Sequence, residues 1–139
     1  MNIRISLYCG VAVLALLALA ACGSSPVNLK EIESHNANGI VVSLLNDKGD
    51  LTQGQNNFVI GFRSASTGKP VDAGRVYVSA TMPMPGMPVM SGGIELQPAK
   101  ETGQYPAKGD FAMSGAWHFE IRWDGPAGQG NVSFSRNVR

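Results

Sequence analysis

The stretch Trp117-His118-Phe119-Glu120-Ile121-Arg122-Trp123 alternates large apolar and polar side chains without a break. Successive side chains of a strand point to opposite faces, so one face carries Trp117, Phe119, Ile121 and Trp123. A helix would split those four between opposite sides. A chain built around this segment has to cover an aromatic face, and a second sheet with the same pattern does that. Phe58, Ile60 and Phe62 alternate with Val59, Gly61 and Arg63. Val76, Val78 and Ala80 alternate with Tyr77, Ser79 and Thr81.

The rest of the chain has the same grain. Ile40 to Leu45 reads as a strand, Gly93 to Leu96 as a short one, Tyr105 through Phe111 and Met113 as another, and Val132 and Phe134 as part of a last one. Lys48-Gly49-Asp50, Ser66-Thr67-Gly68-Lys69-Pro70 and Asp124-Gly125-Pro126-Ala127-Gly128-Gln129-Gly130 are turn signals between them. About seven short strands with such punctuation predict an all-β fold, an antiparallel β-sandwich. Its expected core is Phe58, Ile60, Phe62, Val76, Val78, Trp117, Phe119, Ile121 and Trp123. Aromatic side chains bury ~150–250 Å² each, enough for a small sandwich to stand without disulfides.

The N-terminal segment sets the compartment. Arg4 precedes the apolar run Val11 to Ala20, which is of signal-peptide length and short of the ~20 residues a membrane span needs. It ends in Leu19-Ala20-Ala21-Cys22, which resembles a bacterial lipobox. Residues 1–21 are expected to be a lipoprotein signal peptide, and Cys22 the lipidated N-terminus of the mature chain. Residues 22–37 are expected to be a tether, begun by Gly23-Ser24-Ser25-Pro26, with one helical turn open to Leu29–Ser34. The domain is expected at 38–139. Lipid on Cys22 would hold it in the bacterial cell envelope, facing the periplasm or cell exterior. Gly23 in place of an aspartate resembles outer-membrane sorting.

Processing simplifies the chemistry. Cleavage leaves 139 − 21 = 118 residues, and with Arg4 gone 10 basic side chains face 10 acidic ones. A neutral chain has no electrostatic footprint for nucleic acid. Cys9 is removed and Cys22 acylated, so thiol catalysis and cysteine metal sites are excluded. Asp110, Glu120 and Asp124 are scattered over turns and an outward face, no acid–base pair is legible, and no Gly-x-Ser-x-Gly elbow occurs. An enzyme is not expected.

The chemistry that remains is sulfur. Four of the six methionines lie in Met82-Pro83-Met84-Pro85-Gly86-Met87-Pro88-Val89-Met90. Three prolines exclude helix and central strand, so this is a surface loop. Thioether is a soft donor suited to monovalent copper. A turn at Pro85-Gly86 would bring Met82/Met84 and Met87/Met90 together, with Met113 as a further donor. Other roles fit the same residues: filling one end of the sandwich, docking on a protein partner, or intercepting oxidants. His118, on the outward side of its strand, is a further candidate ligand. His35 has no legible partner.

Taken together, Gly68-Lys69-Pro70-Val71, Val76 to Ala80 leading into Met82-Pro83-Met84-Pro85-Gly86-Met87, then Gly103-Gln104-Tyr105 and Phe111-Ala112-Met113-Ser114-Gly115-Ala116-Trp117 resemble the YtkA-like domain family, with FixH-like relatives. The resemblance runs from about Ile40 to Val138. It implies an immunoglobulin-like sandwich outside the cytoplasmic membrane. It also implies copper handling, sometimes beside an efflux adaptor or an oxidase assembly protein. Related loops often set a histidine among the methionines, where this chain has Pro85 and Gly86. That departure favours an all-thioether, monovalent site.

Overall fold

The structure, a computed structural model, describes residues 28–139. The expected signal peptide, the lipidation site Cys22 and the first part of the tether lie outside the described residues. The strands are β1 (Lys30–Ala37), β2 (Ile40–Asn46), β3 (Gly54–Ser64), β4 (Arg75–Met82), β5 (Met90–Ser91), β6 (Glu95–Leu96), β7 (Gln104–Phe111), β8 (Gly115–Gly125) and β9 (Gly128–Val138). No helix occurs among the described residues. Seven strands have seven or more residues, and the two others have two each.

Two antiparallel sheets form, in the orders β1-β2-β3-β7-β6 and β5-β4-β8-β9. The alternating segments supply their inner faces. Ile60, Phe62, Trp117, Phe119 and Ile121 are fully buried, and Phe58 and Trp123 nearly so. Aromatic contacts stitch the layers together. Phe62 meets Trp123 across the core with ring centroids 5.6 Å apart, and Phe111 meets Trp117 at 5.1 Å, both edge-on. Within the second sheet, Phe119 stacks on Phe134 at 5.4 Å. This is the expected immunoglobulin-like antiparallel sandwich.

The expected tether is corrected. Residues 30–37 form β1, not a tether or a helical turn, so the domain begins at Lys30 rather than 38. β1 pairs along β2 and closes onto β9. Ile32 is buried, Arg136 reaches Glu33 at 3.5 Å, and His35 stacks on Phe134 at 4.8 Å. His35 therefore has a partner in Phe134, and its Nε2 lies 3.3 Å from Glu33 Oε1 without hydrogen-bond geometry.

Other differences are smaller. Val76 and Val78 face the core but are only half-buried, because β4 lies near a sheet edge. Met113 falls outside the strand expected for it, since β7 ends at Phe111 and a turn follows. The expected strand from Gly93 shrinks to Glu95–Leu96. It belongs to a connection that crosses between sheets, anchored where Gly92 donates to the Ala80 carbonyl and accepts from the Asp110 amide, both at 2.8 Å.

Candidate metal centre: the methionine hairpin

The nine residues from Met82 to Met90 fold as a tight hairpin at the end of β4. Met87 donates its amide to the Met84 carbonyl at 3.2 Å, with Pro85 and Gly86 between them. Gly86 has φ of +74°. Proline followed by a glycine with positive φ is the chemistry of a type II turn. The turn directs β5 back along β4, where Met90 pairs with Met82 and Ser91 with Thr81. Met82 and Met90 therefore face each other across the base, while Met84 and Met87 close the tip.

The four differ in environment. Met82 and Met90 are half-buried and pack on the core. Met84 is half-buried and Met87 is 60% exposed. Met82 reaches the turn between β7 and β8, where its methyl lies in the space a side chain on Gly115 would need. Gly115, with φ of +132°, is a contributor the sequence reading missed. Its signal was a glycine opening a strand, which marks a close approach. The same turn carries Met113, 43% exposed, whose carbonyl accepts the Trp117 indole N–H at 2.9 Å. The methionine hairpin and the Met113 turn are thus neighbours at one end of the sandwich.

His118 is not brought to the methionine side. It is exposed on the outward face of β8, paired in register with Thr81 and Ser135, with Nδ1 3.5 Å from Ser135 Oγ. Met82 and Met90 turn inward instead. Among the described residues, no three His, Cys, Asp or Glu side chains gather as metal ligands. The donors on offer here are neutral thioethers, whose chemistry fits monovalent copper.

Two of the three carboxylates considered above, Asp124 and Glu120, are held by neighbouring side chains. Asp124 pairs with Arg75 at 3.1 Å and accepts from Gln129 at 3.1 Å, and Glu120 lies 3.4 Å from Arg122. Tyr105 donates toward Asp72 at 3.3 Å and the Gly74 carbonyl at 3.2 Å. Burial, then the charge of Asp72 and the hydrogen bond to it, push the phenol above its ordinary 10.0. A groove lined by Asn57, Val59, Gln104 and Lys108 lies on the first sheet, away from the hairpin.

No curated protein matches the chain by sequence. Among solved structures, a copper-bound variant of FetP from uropathogenic Escherichia coli strain F11 is similar in fold at 9% identity and a TM-score of 0.51, covering 79% of this chain and 97% of that one. The Lin-41 filamin domain aligns at 12% identity and a TM-score of 0.44, over 65% of this chain and 81% of that one. The model of the YtkA-like family matches residues 34–122, from within β1 into β8. The match takes in β2 to β7, parts of β1 and β8 and the whole methionine hairpin, and the chain belongs to the YtkA-like family.

Proposed function

We propose that this chain is a membrane-anchored, extracytoplasmic copper-binding module, non-catalytic, serving copper export or oxidase assembly. Met82, Met84, Met87 and Met90 would hold one monovalent copper ion, with Met113 as a further donor and His118 outside the site. The observation that carries this reading is the hairpin itself. Its Pro85-Gly86 turn and the Met82–Met90 pair collect four soft donors within nine residues. A fold neighbour caught with copper supports the same reading. Lipid on Cys22 would anchor the domain to the envelope, the outer membrane where one exists. An efflux adaptor or an oxidase assembly protein would be its partner.

The second reading is a docking surface. Met87 and Val89 at the tip are 60% and 63% exposed, beside the exposed Pro85 and Pro88, and make an adaptable apolar patch. Titration of the purified chain with monovalent copper under reducing conditions, against a competing chelator, separates the two. Leucine at all four loop positions keeps the bulk and removes the sulfur, at ~1.5 kcal/mol or less per swap. The copper reading expects the parent to take up one equivalent and the folded leucine variant none. Uptake by neither leaves the docking reading.

A further inference from the structure

Sheet edges invite pairing with other chains, and natural sheets guard them with charge, proline, bulges, short strands or cover. Here the guards are visible on the outer strands. β1 carries Lys30, Glu31 and Glu33 and a register shift between Glu31 and Glu33. β6 is two residues long and runs into Pro98. β5 is equally short and follows Pro88. β9 is covered from β1 and its turn: Asn38 donates to the Gln129 carbonyl at 3.2 Å, Glu33 holds Arg136 and His35 lies on Phe134.

Among the described residues, the open half of β4 has none of these devices. β5 pairs with β4 only at Thr81 and Met82. Among the described residues, Arg75 to Ser79 therefore has β8 on one side and no strand on the other. The segment has no proline and an unbroken register with β8. Its one charge, Arg75, is paired with Asp124. Backbone groups of successive strand residues point to alternate sides. The Ala80 carbonyl meets Gly92 on the open side, so Val78 and Val76 also present their N–H and C=O there.

These five residues, Arg75-Val76-Tyr77-Val78-Ser79, read nearly alike in both directions. We propose that the chain self-associates through this edge, pairing Arg75–Ser79 antiparallel with a second copy about a two-fold axis at Tyr77. Val76 then meets Val78 of the second copy and exchanges both backbone hydrogen bonds with it. Tyr77, 58% exposed, meets its own counterpart on the outer face. Arg75 meets Ser79 rather than another arginine, so no like charges oppose. Such an interface uses the same patch on both copies and closes on itself. The two methionine hairpins lie at opposite ends of the joined sheet, so copper uptake per chain is independent of the pairing.

The test is oxidative crosslinking of the full chain in its own membranes, with the parent as blank for Cys9 and Cys22. Tyr77→Cys places two thiols at a non-hydrogen-bonded pair with Cα atoms about 4.5 Å apart, within disulfide reach. It is expected to give a linked dimer of twice the mass. Ser79→Cys alone is expected to stay monomeric, since the axis separates the two copies by about 13 Å along the strands. Adding Arg75→Cys to it restores the link. Val78→Pro in the Tyr77→Cys background removes a donor on the open side and is expected to cut crosslinking at least tenfold with unchanged dichroism. The proposal is overturned if folded Tyr77→Cys gives no dimer above the parent, or if Ser79→Cys links as readily. It is equally overturned if Val78→Pro has no effect, or if the only linked product contains a different protein.

Discussion

Gly130 has no room for a methyl group. A Cβ there would run into Cζ2 of Trp123, whose ring is locked in the core. The strand needs a residue without a side chain at this point. Gly130→Ala should destabilise the domain by about 1–3 kcal/mol through overpacking, read as a lower denaturation midpoint. Gly86 is the opposite case. Nothing lies within 4 Å of its missing side chain, so only its φ of +74° is at stake. Gly86→Ala should cost about 1 kcal/mol through backbone strain alone. If Gly86→Ala proves as damaging as Gly130→Ala, the turn is packed in a way the structure does not contain.

Tyr105 ties β7 to the segment before β4 through Asp72 and Gly74. Burial and the Asp72 charge raise its phenol, so the folded chain holds that proton more tightly than the unfolded chain does. The stabilisation is complete below about pH 10 and is lost as pH rises through the folded value. Denaturation midpoints should therefore fall on going from about pH 9 to about pH 11, a fall that Tyr105→Phe lacks in part. At neutral pH the same variant should cost about 1 kcal/mol for the lost hydrogen bond. An identical alkaline decline in both proteins would assign it to other groups.

Elements also differ in how well they are written in the sequence. β3 and β8 are legible because both bury one full face, so alternation survives in their residues. β1 is not, because Lys-Glu-Ile-Glu-Ser-His-Asn-Ala buries Ile32 alone and faces β9 with charges. Its strand character comes from pairing with β2, which no local pattern records. The Pro85-Gly86 turn was readable, since proline and glycine fix φ locally. The inward packing of Met82 was not, because it depends on Gly115 more than thirty residues on.

At the scale of the whole molecule, the domain starts at β1. A chain beginning at Lys30 should fold with the stability of the longer one. A chain beginning at residue 38 loses the buried Ile32, worth about 1.5–3 kcal/mol, and uncovers Phe134 and Arg136. Equal thermal midpoints for the two truncations would mean that β1 contributes nothing to the fold. The sandwich holds the methionine hairpin at one end and His118 on an outer face, so ligand type reports location. Absorption spectroscopy at the copper edge of the loaded, reduced chain reads that type directly. Sulfur alone in the inner shell, unchanged between about pH 5 and 8 because thioethers carry no proton to lose, is the result expected of the hairpin. An imidazole signature, or a chain that takes up no copper, would contradict it.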